Sequence, residues 1–142
     1  MRYTIIFMLS ALFLVPQILS AQTAAQLETL LASPAVTCSV AAGFVLEGEE
    51  GAFDKAVSNG WLPKTAQEDD PINMGSLSFL MMKAYNLKGG ILYILFPGPR
   101  YAFRAMVSES YIQGDSDPAL TVSGEEFLLI LGRVLSAAGD EQ

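Results

Sequence analysis

The chain has no histidine and only one cysteine, Cys38, in its 142 residues. Without imidazole there is no Ser-His-Asp or Cys-His arrangement and no histidine ligand for zinc. A lone thiol closes no disulfide, so packing must hold the fold. Cys38 follows Ser33-Pro34-Ala35-Val36-Thr37, too far beyond the N-terminal apolar run for a lipid anchor. It reads as a small, partly buried residue near a helix start. Cations are few as well, 8 against 15 acids, for a net charge of −7. That balance argues against nucleic acid, whose binding rests on cationic contacts to phosphate, and against anionic lipid as a main partner. After residue 21 no apolar run approaches the roughly 20 residues of a membrane-crossing helix. The most apolar stretch, Ile91 to Phe96, has six residues.

What is present begins with an export pattern. Arg2 precedes an apolar run from Ile5 to Val15, broken only by Ser10, and Ser20-Ala21 supplies small residues at a cut site. These are the parts of a secretory signal. The expectation is a signal peptide over 1–21 and a single helical domain over 22–142, exported to the periplasm or cell envelope. Removing 1–21 takes away Arg2 alone among the charges and leaves a net −8.

The remaining chain repeats itself. Ala52-Phe53-Asp54-Lys55-Ala56-Val57 matches Ala102-Phe103-Arg104-Ala105-Met106-Val107. Each is followed by an aromatic-aliphatic pair, Trp61-Leu62 or Tyr111-Ile112, and then by a polar loop with Asp70-Pro71 or Asp117-Pro118. A strongly apolar helix comes next, Leu77 to Leu87 or Phe127 to Leu135. A fainter first copy has Leu27, Leu30 and Leu31 at helical spacing, a stop at Ser33-Pro34, and Thr37 as cap of a helix with Val40, Ala41, Phe44 and Val45 on one face. The fold class expected is all-α, with three helix-loop-helix pseudo-repeats over about 23–48, 51–88 and 100–136.

Local signals support the helices. Ser123 with Glu126 three residues on is a capping box. Phe127, Ile130, Leu131 and Val134 then form one apolar stripe. The helix from Leu77 is apolar nearly all round and belongs at the centre of the fold, with Gly89-Gly90 ending it. Ile91–Phe96, bounded by Gly-Gly and Pro97-Gly98-Pro99, predicts one short extended, buried apolar segment between the second and third units. A short buried helical turn is the alternative.

The repeat resembles the S-layer homology family. Tyr111-Ile112-Gln113-Gly114-Asp115 followed by Pro118 to Phe127 comes closest, with Ser123 in the threonine position of the family's helix-opening motif and Glu126 in its glutamate position. Asn73-Met74-Gly75-Ser76 is a poorer second copy, and Gly124 replaces the motif arginine. The resemblance implies three repeats about a pseudo-threefold axis, with cell-wall glycan bound in grooves between them. The run from Trp61 to Arg104 is also similar to small exported proteins of spirochaetes, a likeness that implies an envelope location.

Candidate chemistry is sparse. Glu68-Asp69-Asp70 and Asp115-Asp117 could supply the two carboxylates of a glycoside hydrolase, about 5–10 Å apart, but acids beside proline in polar loops are usual turn and cap residues. Asp115 and Asp117 lack the glycine-bearing loop and terminal glutamate of a calcium site. No catalytic residue, metal ligand or cofactor is therefore assigned. Arg100 and Arg104 stand in the first turn of an expected helix, where the dipole disfavours cations by about 0.3–1 kcal/mol. Arg104 is assigned a structural role, paired with Asp115 or Asp117. Arg100, with Tyr101 and Trp61 as stacking surfaces, is assigned to an acidic ligand, since the guanidinium fork holds carboxylate in two places. Arg133, late in its helix, suits the dipole and needs no ligand. Two functions follow: a non-enzymatic envelope interaction module that binds glycan or a partner protein, or a small wall-acting hydrolase using loop carboxylates.

Overall fold

A computed structural model describes residues 23–114 and 116–140. The expected signal and its cleavage point lie outside the described residues. The chain divides between Ala32 and Ser33 into two units. The described part of the first is helical over 23–31, where Thr29 Oγ1 donates to the Ala25 carbonyl at 2.9 Å.

Among the described residues the second unit contains six helices: α1 (Cys38–Val45), α2 (Ala52–Ser58), α3 (Met74–Ala84), α4 (Ile91–Leu95), α5 (Pro99–Ser108) and α6 (Gly124–Asp140). Among the described residues, extended pairing is confined to two isolated antiparallel bridges, Thr37 with Pro71 and Asn73 with Thr121. The fold is all-α.

Those bridges belong to a closed backbone ring. The Ile72 amide donates to the Val36 carbonyl at 2.8 Å, Val36 donates to Val122 at 2.8 Å, and Val122 donates to Ile72 at 3.1 Å. All three side chains are buried. Three residues from distant parts of the chain thus satisfy one another's backbone groups, which would be costly to leave unpaired inside a core.

Each ring residue is followed by a cap that starts a helix. Thr37 Oγ1 accepts from the Val40 amide at 3.4 Å, and Asn73 Oδ1 accepts from Ser76 at 2.8 Å. Ser123 Oγ accepts from the Glu126 amide at 3.3 Å, while Glu126 Oε2 accepts from the Ser123 amide at 3.0 Å. The capping box is formed as expected. The next amides of these helices reach carbonyls of distant loops: Cys38 to Asp70, Met74 to Leu120 and Gly124 to Ser33, at 2.8, 2.8 and 2.9 Å. Helix starts and loops therefore lock one another.

α3 is the central helix, with Leu77, Leu80, Met81 and Met82 buried. α1 packs on α2 and α3, and α5 lies along α3. On α6 the stripe of Phe127, Ile130, Leu131 and Val134 is buried, and Phe127 meets Phe44 edge-on at 5.9 Å. Arg133 also bonds the loop after α5, donating to the Tyr111 carbonyl at 3.0 Å. The chain leaves α2 and α5 in the same way. After α2, Gly60 (φ 73°) turns the backbone and both Trp61 and Leu62 donate to the Ala56 carbonyl. After α5, Ser110 (φ 64°) does so and both Tyr111 and Ile112 donate to Met106.

Three expectations are corrected. The segment Ile91–Phe96 is neither extended nor buried. Ile91–Leu95 forms a helical turn in which Tyr93 and Ile94 donate to the Gly90 carbonyl, and only Tyr93 faces inward. Its backbone closes its own bonds and needs no strand partner. α3 does not run to Gly89-Gly90 but stops at Ala84, because Asn86 takes up the left-handed region at φ 51°. On α1, Cys38, Ala41, Ala42 and Val45 face the core and Val40 faces outward, since the pairing of the Cys38 amide with Asp70 turns that side inward.

Candidate functional site

The start of α3, the first two turns of α5 and the loop 117–119 enclose an open groove of about 650 Å³. Asn73, Gly75 and Ser76 form one wall, Pro99, Arg100, Phe103 and Arg104 a second, and Asp117, Pro118 and Ala119 a third. Gly75 permits this closeness. A Cβ there would meet the Pro118 carbonyl oxygen at 3.2 Å and the Pro99 Cβ at 3.4 Å.

Pro99 begins α5, where its missing N–H costs nothing. Arg100 and Arg104 follow one helical turn apart, so both point to the same side. Both are exposed. The only ion pair among the described residues joins Lys55 to Glu49, so no described acid lies within 4 Å of either arginine. Asp117 shares their groove, and its Oδ1 is engaged by the Ala119 amide at 2.7 Å. Asp115, the other expected partner of Arg104, lies outside the described residues.

The amides of the α3 start are not available to an incoming anion. Met74 and Gly75 donate to Leu120 and Pro118 at 2.8 Å each, while Ser76 and Leu77 donate to the Asn73 side chain and carbonyl. A carboxylate entering the groove would be held by guanidinium groups, with the Ser76 hydroxyl and Asn73 amide as neutral partners.

The structure brings Arg100 and Arg104 together but not the expected aromatics. Tyr101 faces Phe96 at 6.2 Å, and neither Tyr101 nor Trp61 lines the groove. Phe103 supplies the apolar surface instead. Asn73, Ser76 and Phe103 were not assigned from sequence. The cap pattern Asn73-x-x-Ser76 marks a helix start, but its meeting with α5 depends on the fold.

The loop acids have structural work. Asp70 Oδ2 accepts from the Gln67 amide at 2.9 Å, much as Asp117 accepts from Ala119. Among the described residues no three acids, cysteines or histidines cluster as metal ligands. Cys38 is buried, and desolvation, with the nearby charge of Asp70 second, pushes its thiol above the ordinary range. A thiol so placed is a poor nucleophile. No helix among the described residues is long and apolar enough to cross a membrane.

Comparison with protein-family models, with curated proteins and with solved structures finds no match.

Proposed function

We propose that the chain is an exported, non-enzymatic interaction module of the cell envelope. It is built of three helix-loop-helix units similar to S-layer homology repeats, and it binds an acidic glycan in the groove beside Arg100 and Arg104. Support for repeated units comes from recurrence: three apolar residue-cap pairs in one amide ring, and two helices left through the same turn. The groove lies where the second unit, about 51–88, meets the third, about 100–136.

The observation that carries the ligand reading is the exposed pair of arginines with no described acid within 4 Å. Two guanidinium groups lining one groove favour a carboxylate-bearing sugar over a neutral one.

The test is co-sedimentation with acidic wall polysaccharide and with the same polysaccharide after its carboxyl groups are reduced. The wild-type chain is retained by the first and released from the second, and Arg100→Glu/Arg104→Glu is released from both. Equal retention on both materials, or by both proteins, overturns the reading. Soluble sugar fragments appearing with time would favour the hydrolase instead.

A further inference from the structure

Among the described residues, α4 leaves the largest run of apolar side chains uncovered. Ile91, Leu92, Ile94, Leu95 and Phe96 are 75, 50, 70, 63 and 60 % exposed. Single exposed leucines are ordinary, but five neighbouring large apolar residues are the mark of an interaction surface. The segment is not loose. Tyr93 anchors it, 9 % exposed, with its ring edge-on to Phe79 at 6.4 Å and Lys83 Nζ 5.9 Å from its centroid. Gly89 has no side chain where the Tyr93 ring lies, and a Cβ there would stand 2.7 Å from Tyr93 Cγ. The fold thus holds these residues outward on a fixed turn.

The charge around α4 differs from that of the whole chain. Residues 71–108 contain four cations, Lys83, Lys88, Arg100 and Arg104, and no acid, although the chain carries 15 acids in all. Lys88 precedes Ile91 by three residues, Arg100 follows Phe96 by four, and Lys83 sits against Tyr93. All four are exposed. At ordinary ionic strength charges beyond about 8–10 Å are largely screened. The local rim therefore decides what approaches α4, and the net negative charge does not.

From the apolar tip and its cationic rim we infer that α4 docks on the surface of an anionic phospholipid bilayer. Ile91, Leu92, Ile94, Leu95 and Phe96 enter the headgroup-acyl boundary, and Lys83 and Arg100 meet lipid phosphates. An apolar face rimmed by Lys and Arg is the pattern of helices that lie in the interface without crossing it. Each cation held near such a surface raises partitioning by about fivefold. A symmetric dimer through α4 would set the cations of one copy against the same cations of the other, whereas lipid phosphate neutralises them. The surface shares only Arg100 with the expected glycan contacts, and it stands whether or not the groove binds sugar.

The test is flotation of the full chain with vesicles of phosphatidylglycerol and phosphatidylcholine, against vesicles of phosphatidylcholine alone. Wild type floats with the anionic vesicles and at least about tenfold less with the neutral ones, and the difference shrinks as salt rises from about 0.1 to about 1 M. Ile94→Glu/Leu95→Glu, with unchanged circular dichroism, floats at least about tenfold less with the anionic vesicles. A direct reading of position uses Ile94→Trp, whose fluorescence is quenched by phosphatidylglycerol with brominated acyl chains, while Trp61 of the wild type is not. Flotation unaffected by the double variant, or absent quenching at position 94, overturns the inference. So does a wild-type dimer, seen by sedimentation equilibrium, that the double variant splits while neither protein floats.

Discussion

Val36, Ile72 and Val122 in the amide ring, and Ile91, Ile94 and Leu95 in α4, are the same kinds of side chain in opposite circumstances. The first three are at most 1 % exposed, the second three at least 63 %. Hydropathy cannot tell them apart. What differs is where their backbone groups go. Each ring residue donates to a residue at least 36 positions away, so the ring closes only when distant parts of the chain assemble. In α4 the amides of Tyr93, Ile94 and Phe96 go to carbonyls three or four residues back. That turn closes its bonds within its own segment, and only Tyr93 among its large side chains is buried. Long-range backbone pairing marks the frame of this molecule, and local pairing under an apolar surface marks a part available for contact.

The largest effect expected from this contrast is in the core. Phe127→Ala removes a fully buried ring and its edge contact with Phe44, and should cost about 3–5 kcal/mol in urea unfolding. Ile94→Ala should stay within about 0.5 kcal/mol of wild type, since it strips only exposed surface. Comparable losses from both would mean that α4 is covered in solution and would erase the contrast.

Gly89→Ala probes the anchor between the two regions. The added Cβ collides with the Tyr93 ring, so the ring must leave its place against Phe79. A loss of about 1–3 kcal/mol is expected, with faster amide exchange at Ile94 and Phe96 than at Ile72 or Val122. Slow exchange retained in α4 would show that Tyr93 is not its anchor.

At the edge of the ring, Ser123→Ala removes one half of the capping box, at a cost of about 1 kcal/mol. Its shift of the thermal midpoint should exceed that of Ser76→Ala, whose hydroxyl caps no amide among the described bonds. An unchanged midpoint would place the start of α6 elsewhere, with Thr121 the nearest other cap.

High pH should act gradually on the same frame. Burial pushes Cys38, Tyr85 and Tyr93 above their ordinary values, with Asp70 and Glu47 adding to the first two. All three are neutral when protonated and have folded values above the unfolded ones. Their contribution is therefore complete below the ordinary thiol value of 9.0 and is lost as pH rises through the higher folded values. Denaturant midpoints should be flat from neutrality to about pH 9 and fall beyond it. Cys38→Ala should move the onset of that fall upward, and an onset unmoved would assign the loss to the tyrosines.

Much of the frame was legible because it is written in short-range patterns. Ser123 and Glu126 announce the start of α6, Phe127 to Val134 its buried face, and the apolar perimeter of α3 its central place. The ring was not legible, because each segment contributes a single residue with no periodicity. Val40 was misassigned for a related reason: the pairing of the Cys38 amide with Asp70 sets which side of α1 faces inward. Length and hydropathy suggested burial for Ile91–Phe96, and nothing local says that only Tyr93 has a place prepared for it. At the candidate site Arg100 was legible as a cation against a helix dipole, whereas Arg104, expected in the same first turn, is the sixth residue of α5 and lies beyond that dipole's reach. The partners Asn73, Ser76 and Phe103 were not legible, because their meeting depends on how α3, α5 and the loop 117–119 pack.

The smallest expected effect on stability falls at Arg104, and it separates frame from contact surface most sharply. Arg104 is exposed, with no described acid within 4 Å, and Asp117 is bonded to Ala119. An exposed cation without a close partner contributes little, so Arg104→Ala should change unfolding free energy by no more than about 0.5 kcal/mol. Retention on acidic wall polysaccharide should fall at least about tenfold, a loss of about 1.4 kcal/mol in binding, and rising salt should narrow the gap between the two proteins. A stabilising pair would behave otherwise. Arg104→Ala would then lower the thermal midpoint, and Asp117→Asn or Asp115→Asn would add less than its own separate cost, since neighbours sharing an interaction couple by about 0.5–3 kcal/mol. That result would move Arg104 into the frame and leave Arg100 as the only cation of the groove. The glycan reading would then need Arg100→Ala alone to abolish retention. Retention that survives it would leave α4 as the contact surface of this chain.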